Sequence, residues 1–103
     1  MHSLVSENRS GISTLCRRYD VRRLDVFGSA ARGEEFREDA SDVDFLVEFD
    51  SASRLSPLDS FFGLQAELSN LLKRPVDLVE AGAVKNPYVL DSIQRQREVV
   101  YAA

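Results

Sequence analysis

Between Leu4 and Tyr19 apolar side chains recur at Ile12, Leu15, Cys16 and Tyr19. That is the i, i+3, i+4, i+7 spacing of a helix with one buried face, and it predicts a single first helix over this stretch. The pattern changes over Arg22 to Phe27, where a short apolar run stops at Gly28 and reads as a buried strand. Val43, Phe45, Val47 and Phe49 then alternate with Asp44, Leu46 and Glu48, the two-residue period of a second strand with one strongly apolar face. Ser56, Pro57 and Asp59 form a helix start, since serine accepts from free amides, proline suits the first helical position and aspartate complements the dipole. Leu58, Phe61, Phe62, Leu68, Leu71 and Leu72 are read as its buried stripe, running to Lys73. Val76 to Val79 reads as a third strand, Asn86 and Pro87 open a short helix through about Arg97, and Val99 to Tyr101 form an edge strand. The expected architecture is α/β of the α+β kind: a small mixed sheet with helices packed on one face.

A chain of 103 residues has room for one core, so residues 1–103 are expected to form a single domain. The composition, 44% hydrophobic and 29% charged, is that of a globular protein rather than a disordered one. Seventeen acids against thirteen bases leave a formal charge of -4, which argues against stable nucleic-acid binding, because backbone affinity comes from clustered Lys and Arg. One cysteine, Cys16, makes no internal disulfide, and it falls on the apolar face of the first helix, a core position rather than a nucleophile. No apolar stretch reaches the length of a membrane span, so no membrane association is expected and a reducing cytoplasm fits best.

The candidate chemistry lies at the strand ends. Asp42 and Asp44 are two residues apart, so the strand period points both carboxylates to one face while Val43, Phe45 and Val47 pack on the helices. Adjacent carboxylates raise each other's cost of ionisation unless a cation intervenes, and Mg²⁺ takes one or two carboxylates completed by water and phosphate oxygens. A third acid, Asp77, sits in a strand that could lie beside the second and bring its carboxylate near Asp44. In a two-metal scheme it completes the second site or acts as base toward an acceptor hydroxyl. Gly28 permits close approach of backbone to a phosphate, Ser29 offers hydroxyl and amide donors, and Arg32 adds positive charge for a triphosphate tail. The paired Phe61 and Phe62 are read as core packing.

Phe27-Gly28-Ser29-Ala30-Ala31-Arg32-Gly33-Glu34 followed by Ser41-Asp42-Val43-Asp44-Phe45-Leu46-Val47-Glu48-Phe49 resembles the glycine-serine plus Asp-x-Asp signature of the DNA polymerase beta nucleotidyltransferase superfamily. More closely it resembles the minimal nucleotidyltransferase antitoxins of prokaryotic two-gene systems, over nearly the whole chain. The resemblance implies a polymerase beta-like fold, a triphosphate held at Gly28 and Ser29, two Mg²⁺ ions on Asp42, Asp44 and Asp77, and ATP as substrate. It also implies a partner, a HEPN-class toxin with RNase activity, silenced by transfer of AMP to a tyrosine. The chain departs from the pattern in one place: twelve residues separate Ser29 from Asp42, a longer spacing than usual, which puts extra length in the Glu34 to Ala40 loop. Two other functions stand beside this one: a non-catalytic antitoxin that blocks the toxin sterically, and transfer to a small molecule.

Overall fold

The computed structural model describes residues 3–28, 42–53, 55–83 and 85–103. Two helices, α1 (Ser3–Glu7) and α2 (Arg9–Arg18), lead into strand β1 (Val21–Phe27) and then β2 (Val43–Phe49). A long helix α3 (Pro57–Leu72), strand β3 (Val76–Glu80), a 3-10 turn (Ala81–Ala83), helix α4 (Pro87–Gln96) and strand β4 (Glu98–Ala102) complete the order. The sheet is mixed, ordered β3-β2-β1-β4, with β1 antiparallel to both neighbours and β2 parallel to β3. Since β3 and β4 are the two edges, the segment between them carries α4 from one side of the sheet to the other. The mixed α+β sheet is the expected architecture.

The core forms where the alternation places it. Val43, Phe45 and Val47 of β2 are fully buried with Leu24 and Val26 of β1 and Val76 and Leu78 of β3, against Ile12, Leu15 and Cys16 of α2 and Leu64, Leu68 and Leu72 of α3. Glycine permits a tight crossing of the two helices. A β-carbon on Gly63 would stand 2.7 Å from Cε1 of Tyr19. Arg18 and Glu67 bridge the same pair of helices at 2.7 Å.

The structure departs from the pattern reading at two helices. The first is broken into α1 and α2 at Asn8, whose amide side chain donates to the carbonyl of Leu4 at 2.7 Å. A side chain that hydrogen-bonds nearby backbone offers an alternative to the helical ladder, and the chain takes it there. In α3 the buried face is Ser60, Leu64, Leu68 and Leu72, spaced by four, whereas Leu58 is 68% and Phe62 60% exposed. Residues two positions from Ser60 lie roughly 200° around a helix of 3.6 residues per turn, so Leu58 and Phe62 point away from the sheet. Phe61 is half-buried and meets Phe62 edge-on with centroids 5.3 Å apart, so only one ring of the pair packs on the core. The α3 start has Pro57 in its first turn as expected, but the Ser56 side chain makes no capping bond.

Candidate functional site

The site is built by strand register. The end of β1 pairs with the start of β2, Phe27 opposite Asp44, and the start of β2 pairs with the start of β3, Asp44 opposite Asp77. Residues directly opposite in a ladder project to the same face, so the Asp44 and Asp77 side chains stand side by side on the face away from the main core. Asp44 is half-buried, Asp42 and Asp77 are exposed, and Val43 between the first two is fully buried. The expectation that β3 would bring Asp77 beside Asp44 is met by direct pairing.

Gly28 closes β1 with φ +70°, in the left-handed region that glycine enters without penalty. A β-carbon there would lie 2.6 Å from Oδ2 of Asp44. The glycine is thus required twice, by the turn and by the carboxylate that leans against it. Ser29 and Arg32, together with the Glu34 to Ala40 loop, lie outside the described residues.

Electrostatics marks Asp44 as the central acid. Partial burial, then the nearby charge of Asp77, then that of Asp42, push its carboxyl above the ordinary carboxylate range. A positive charge placed among the three would relieve that repulsion. Among the described residues no three Asp, Glu, His or Cys side chains are gathered around a point that could hold an ion by themselves. Mg²⁺ binds through one or two carboxylates and takes its remaining ligands from water and substrate phosphates. The donor set, all carboxylate oxygen on adjacent strand ends, fits a hard cation and offers nothing to a soft one.

One functional neighbour escaped the sequence reading. Asp25 is 1% exposed on the same face, paired with Leu46, two ladder positions from the Phe27 and Asp44 pair. Nε of Arg23 donates to both its carboxylate oxygens, at 3.0 and 3.1 Å, and Nη1 of Arg97 lies 3.4 Å from Oδ2. The cluster ties the middle of β1 to the junction of α4 and β4, and so fixes the platform on which the carboxylates stand. An acid inside the apolar run Leu24 to Phe27 was the available signal, since a buried carboxylate needs a charged partner.

No helix among the described residues is long and apolar enough to cross a membrane. The model of the nucleotidyltransferase domain family matches residues 9–100. A Methanocaldococcus jannaschii protein, provisionally named a protein adenylyltransferase, is 45% identical over 75% of this chain and 74% of its own length. The protein adenylyltransferase MntA of Thermococcus cleftensis is 42% identical over 82% of this chain and 77% of its own. Among solved structures, one provisionally described as a minimal nucleotidyltransferase superposes with a TM-score of 0.77 at 33% identity, covering 95% of both chains. The MNT antitoxin complexed with a tri-AMPylated HEPN toxin of Shewanella oneidensis shares the fold, with a TM-score of 0.66 at 20% identity over 96% of this chain and 73% of that one. The chain therefore belongs to the nucleotidyltransferase domain family, among its minimal nucleotidyltransferases.

Proposed function

We propose that this chain transfers AMP from ATP to a hydroxyl of a partner protein, a HEPN-class toxin, and thereby acts as its antitoxin. The reading is carried by one observation: Asp44 pairs directly with Asp77 on one side and with Phe27, next to the Gly28 turn, on the other. It is supported by the protein adenylyltransferase relatives, one of them at 42% identity over 82% of this chain.

Asp42 and Asp44 would hold Mg²⁺, with Asp77 completing a second position or acting as base. When bound, Mg²⁺ supplies charge neutralisation for the triphosphate and for the leaving pyrophosphate. The backbone at Gly28 and the donors of Ser29 and Arg32 hold the triphosphate tail. The acceptor oxygen, a tyrosine hydroxyl by resemblance, bonds to the α-phosphorus as the bond to pyrophosphate breaks, and its proton passes to a carboxylate of the site. Positioning and electrostatic stabilisation supply the rate, because phosphoryl-type transfer needs little covalent work from the protein.

The test is intact mass spectrometry of the co-purified toxin after incubation with this chain and Mg²⁺-ATP. Addition of one or more AMP units that disappears with Asp42→Asn and Asp44→Asn is the expected result. Equal protection from the toxin by the native chain and both variants, with no added mass, would replace the enzyme with a steric blocker.

A further inference from the structure

Beside Gly28, between the end of β1 and α4, the surface sinks into a cleft of about 400 Å³ lined by Phe27, Gly28, Tyr88, Val89, Ser92 and Ile93. Gly28 therefore borders both the Asp44 carboxylate and this cleft. The two sides differ in chemistry. Asp42, Asp44 and Asp77 make one side acidic, whereas no charged side chain among the described residues lines the other, and its described walls are mostly carbon. Ile93 is buried and forms a floor, while Tyr88 is 85% and Val89 48% exposed.

That exposure is held in place. Asn86 caps α4, its side-chain oxygen accepting from the backbone amides of Tyr88 at 2.9 Å and Val89 at 3.4 Å. The backbone carrying Tyr88 is fixed while the ring faces solvent. Large apolar groups kept exposed on an ordered element beside a polar site mark a ligand surface. The volume falls within the roughly 300 to 1,000 Å³ usual for small-molecule sites.

We propose that this cleft receives the nucleobase of the nucleoside triphosphate, with Tyr88 as the stacking platform and Val89 and Ile93 as apolar walls. The inference rests on the nucleotidyltransferase reading above, since it takes the phosphate tail to lie at Gly28. From there the nucleoside has an apolar berth on one side, and the acceptor hydroxyl has the acidic side to itself. Stacking on an aromatic face suits a base because every base presents a π-surface.

Calorimetric titration of the intact protein with ATP and with inorganic tripolyphosphate, each with Mg²⁺, separates base from phosphate contacts. Tyr88→Ala should weaken ATP roughly tenfold, the scale of one lost base–aromatic stack, and leave tripolyphosphate unchanged. Tyr88→Phe, which keeps the ring, should bind ATP as the native protein does. The proposal is overturned if Tyr88→Ala binds ATP normally, if it loses both ligands equally, or if Tyr88→Phe behaves like Tyr88→Ala. A native protein that binds neither ligand would instead remove the nucleotidyltransferase reading, so the two failures appear in different arms.

Discussion

Gly28→Ala adds a single carbon at φ +70°, aimed at a carboxylate oxygen 2.6 Å away. Two penalties follow, and they separate. An L side chain in the left-handed region costs about 1 to 2 kcal/mol. In a domain of this size each kcal/mol moves Tm by about 4 to 8 °C, so the strain alone lowers Tm by about 4 to 16 °C. The second penalty is local. Asp44 is held by ladder pairing on both flanks, with Phe27 and with Asp77, so its backbone does not retreat and the carboxylate must swing aside. A displacement on the order of 1 Å at a reacting centre costs about 10²-fold in rate, so AMP transfer should fall at least that far while the protein remains folded. Thermal unfolding and the transfer rate at saturating Mg²⁺-ATP measure the two effects. The strain and the contact are resolved by repeating the glycine substitution in an Asp44→Ala background, where the Cβ of Asp44, 3.8 Å away, is an ordinary contact. There the stability loss should shrink to the backbone component. A Gly28→Ala protein that transfers AMP at the native rate, or a glycine penalty identical in both backgrounds, would refute the argument that the turn and the carboxylate are fitted to each other.

Asp25→Ala should destabilise the fold by about 3 kcal/mol, the low end for breaking a buried ion pair, because the Arg23 and Arg97 side chains left behind are 37% and 29% exposed and keep some hydration. Urea unfolding reads this, and a loss under about 1 kcal/mol would mean the cluster does not hold the platform. Asp44→Asn should abolish transfer and yet raise Tm at neutral pH without divalent ions. The sign follows from linkage: burial, then Asp77 and Asp42, raise the folded carboxyl above its ordinary 3.8, so the folded state holds the proton more tightly than the unfolded one. The stability attached to Asp44 is then full below 3.8 and declines as pH rises through the raised value. The gain from Asp44→Asn should accordingly vanish near pH 3, and a variant that melts lower than the native protein at pH 7 contradicts this. Cys16 is fully buried, and burial pushes its thiol up to about 12. It should resist a thiol-directed reagent at pH 8 and react promptly in denaturant; equal labelling rates folded and unfolded would place the side chain outside the core.

The strands were legible because their signal is local. Val43, Phe45, Val47 and Phe49 sit at a period of two, and a period of two admits one reading of which face is buried. The same rule put Asp42 and Asp44 on the other face before any partner strand was known. The α3 helix was less legible for a reason of the same kind. Leu58, Phe61 and Phe62 outweigh Ser60 in apolarity, yet the face that turns inward is set by Leu64, Leu68 and Leu72, and Ser60 is carried in with them. A helix surrounded by apolar residues has more than one candidate stripe, and tertiary contact chooses. At Asn8 a single side-chain bond to the Leu4 carbonyl outcompetes a pattern that continues through it.

The site divides along the same line. The pairing of Asp44 with Asp77 needed only that β3 lie next to β2, and the acid at the second position of each strand does the rest. Asp25 needed more: Arg23 partners it from the same strand, but its second cation, Arg97, reaches it only because the segment through α4 leads from one sheet edge to the other. Tyr88 depends on the same crossing, because a tyrosine in the first turn of a helix borders the Gly28 turn only when that helix is led from the β3 edge toward β4. Carboxylates on adjacent strands are therefore written in the spacing of the chain. The groups that hold their platform and flank their glycine are written in the path of one connection, which periodicity does not encode.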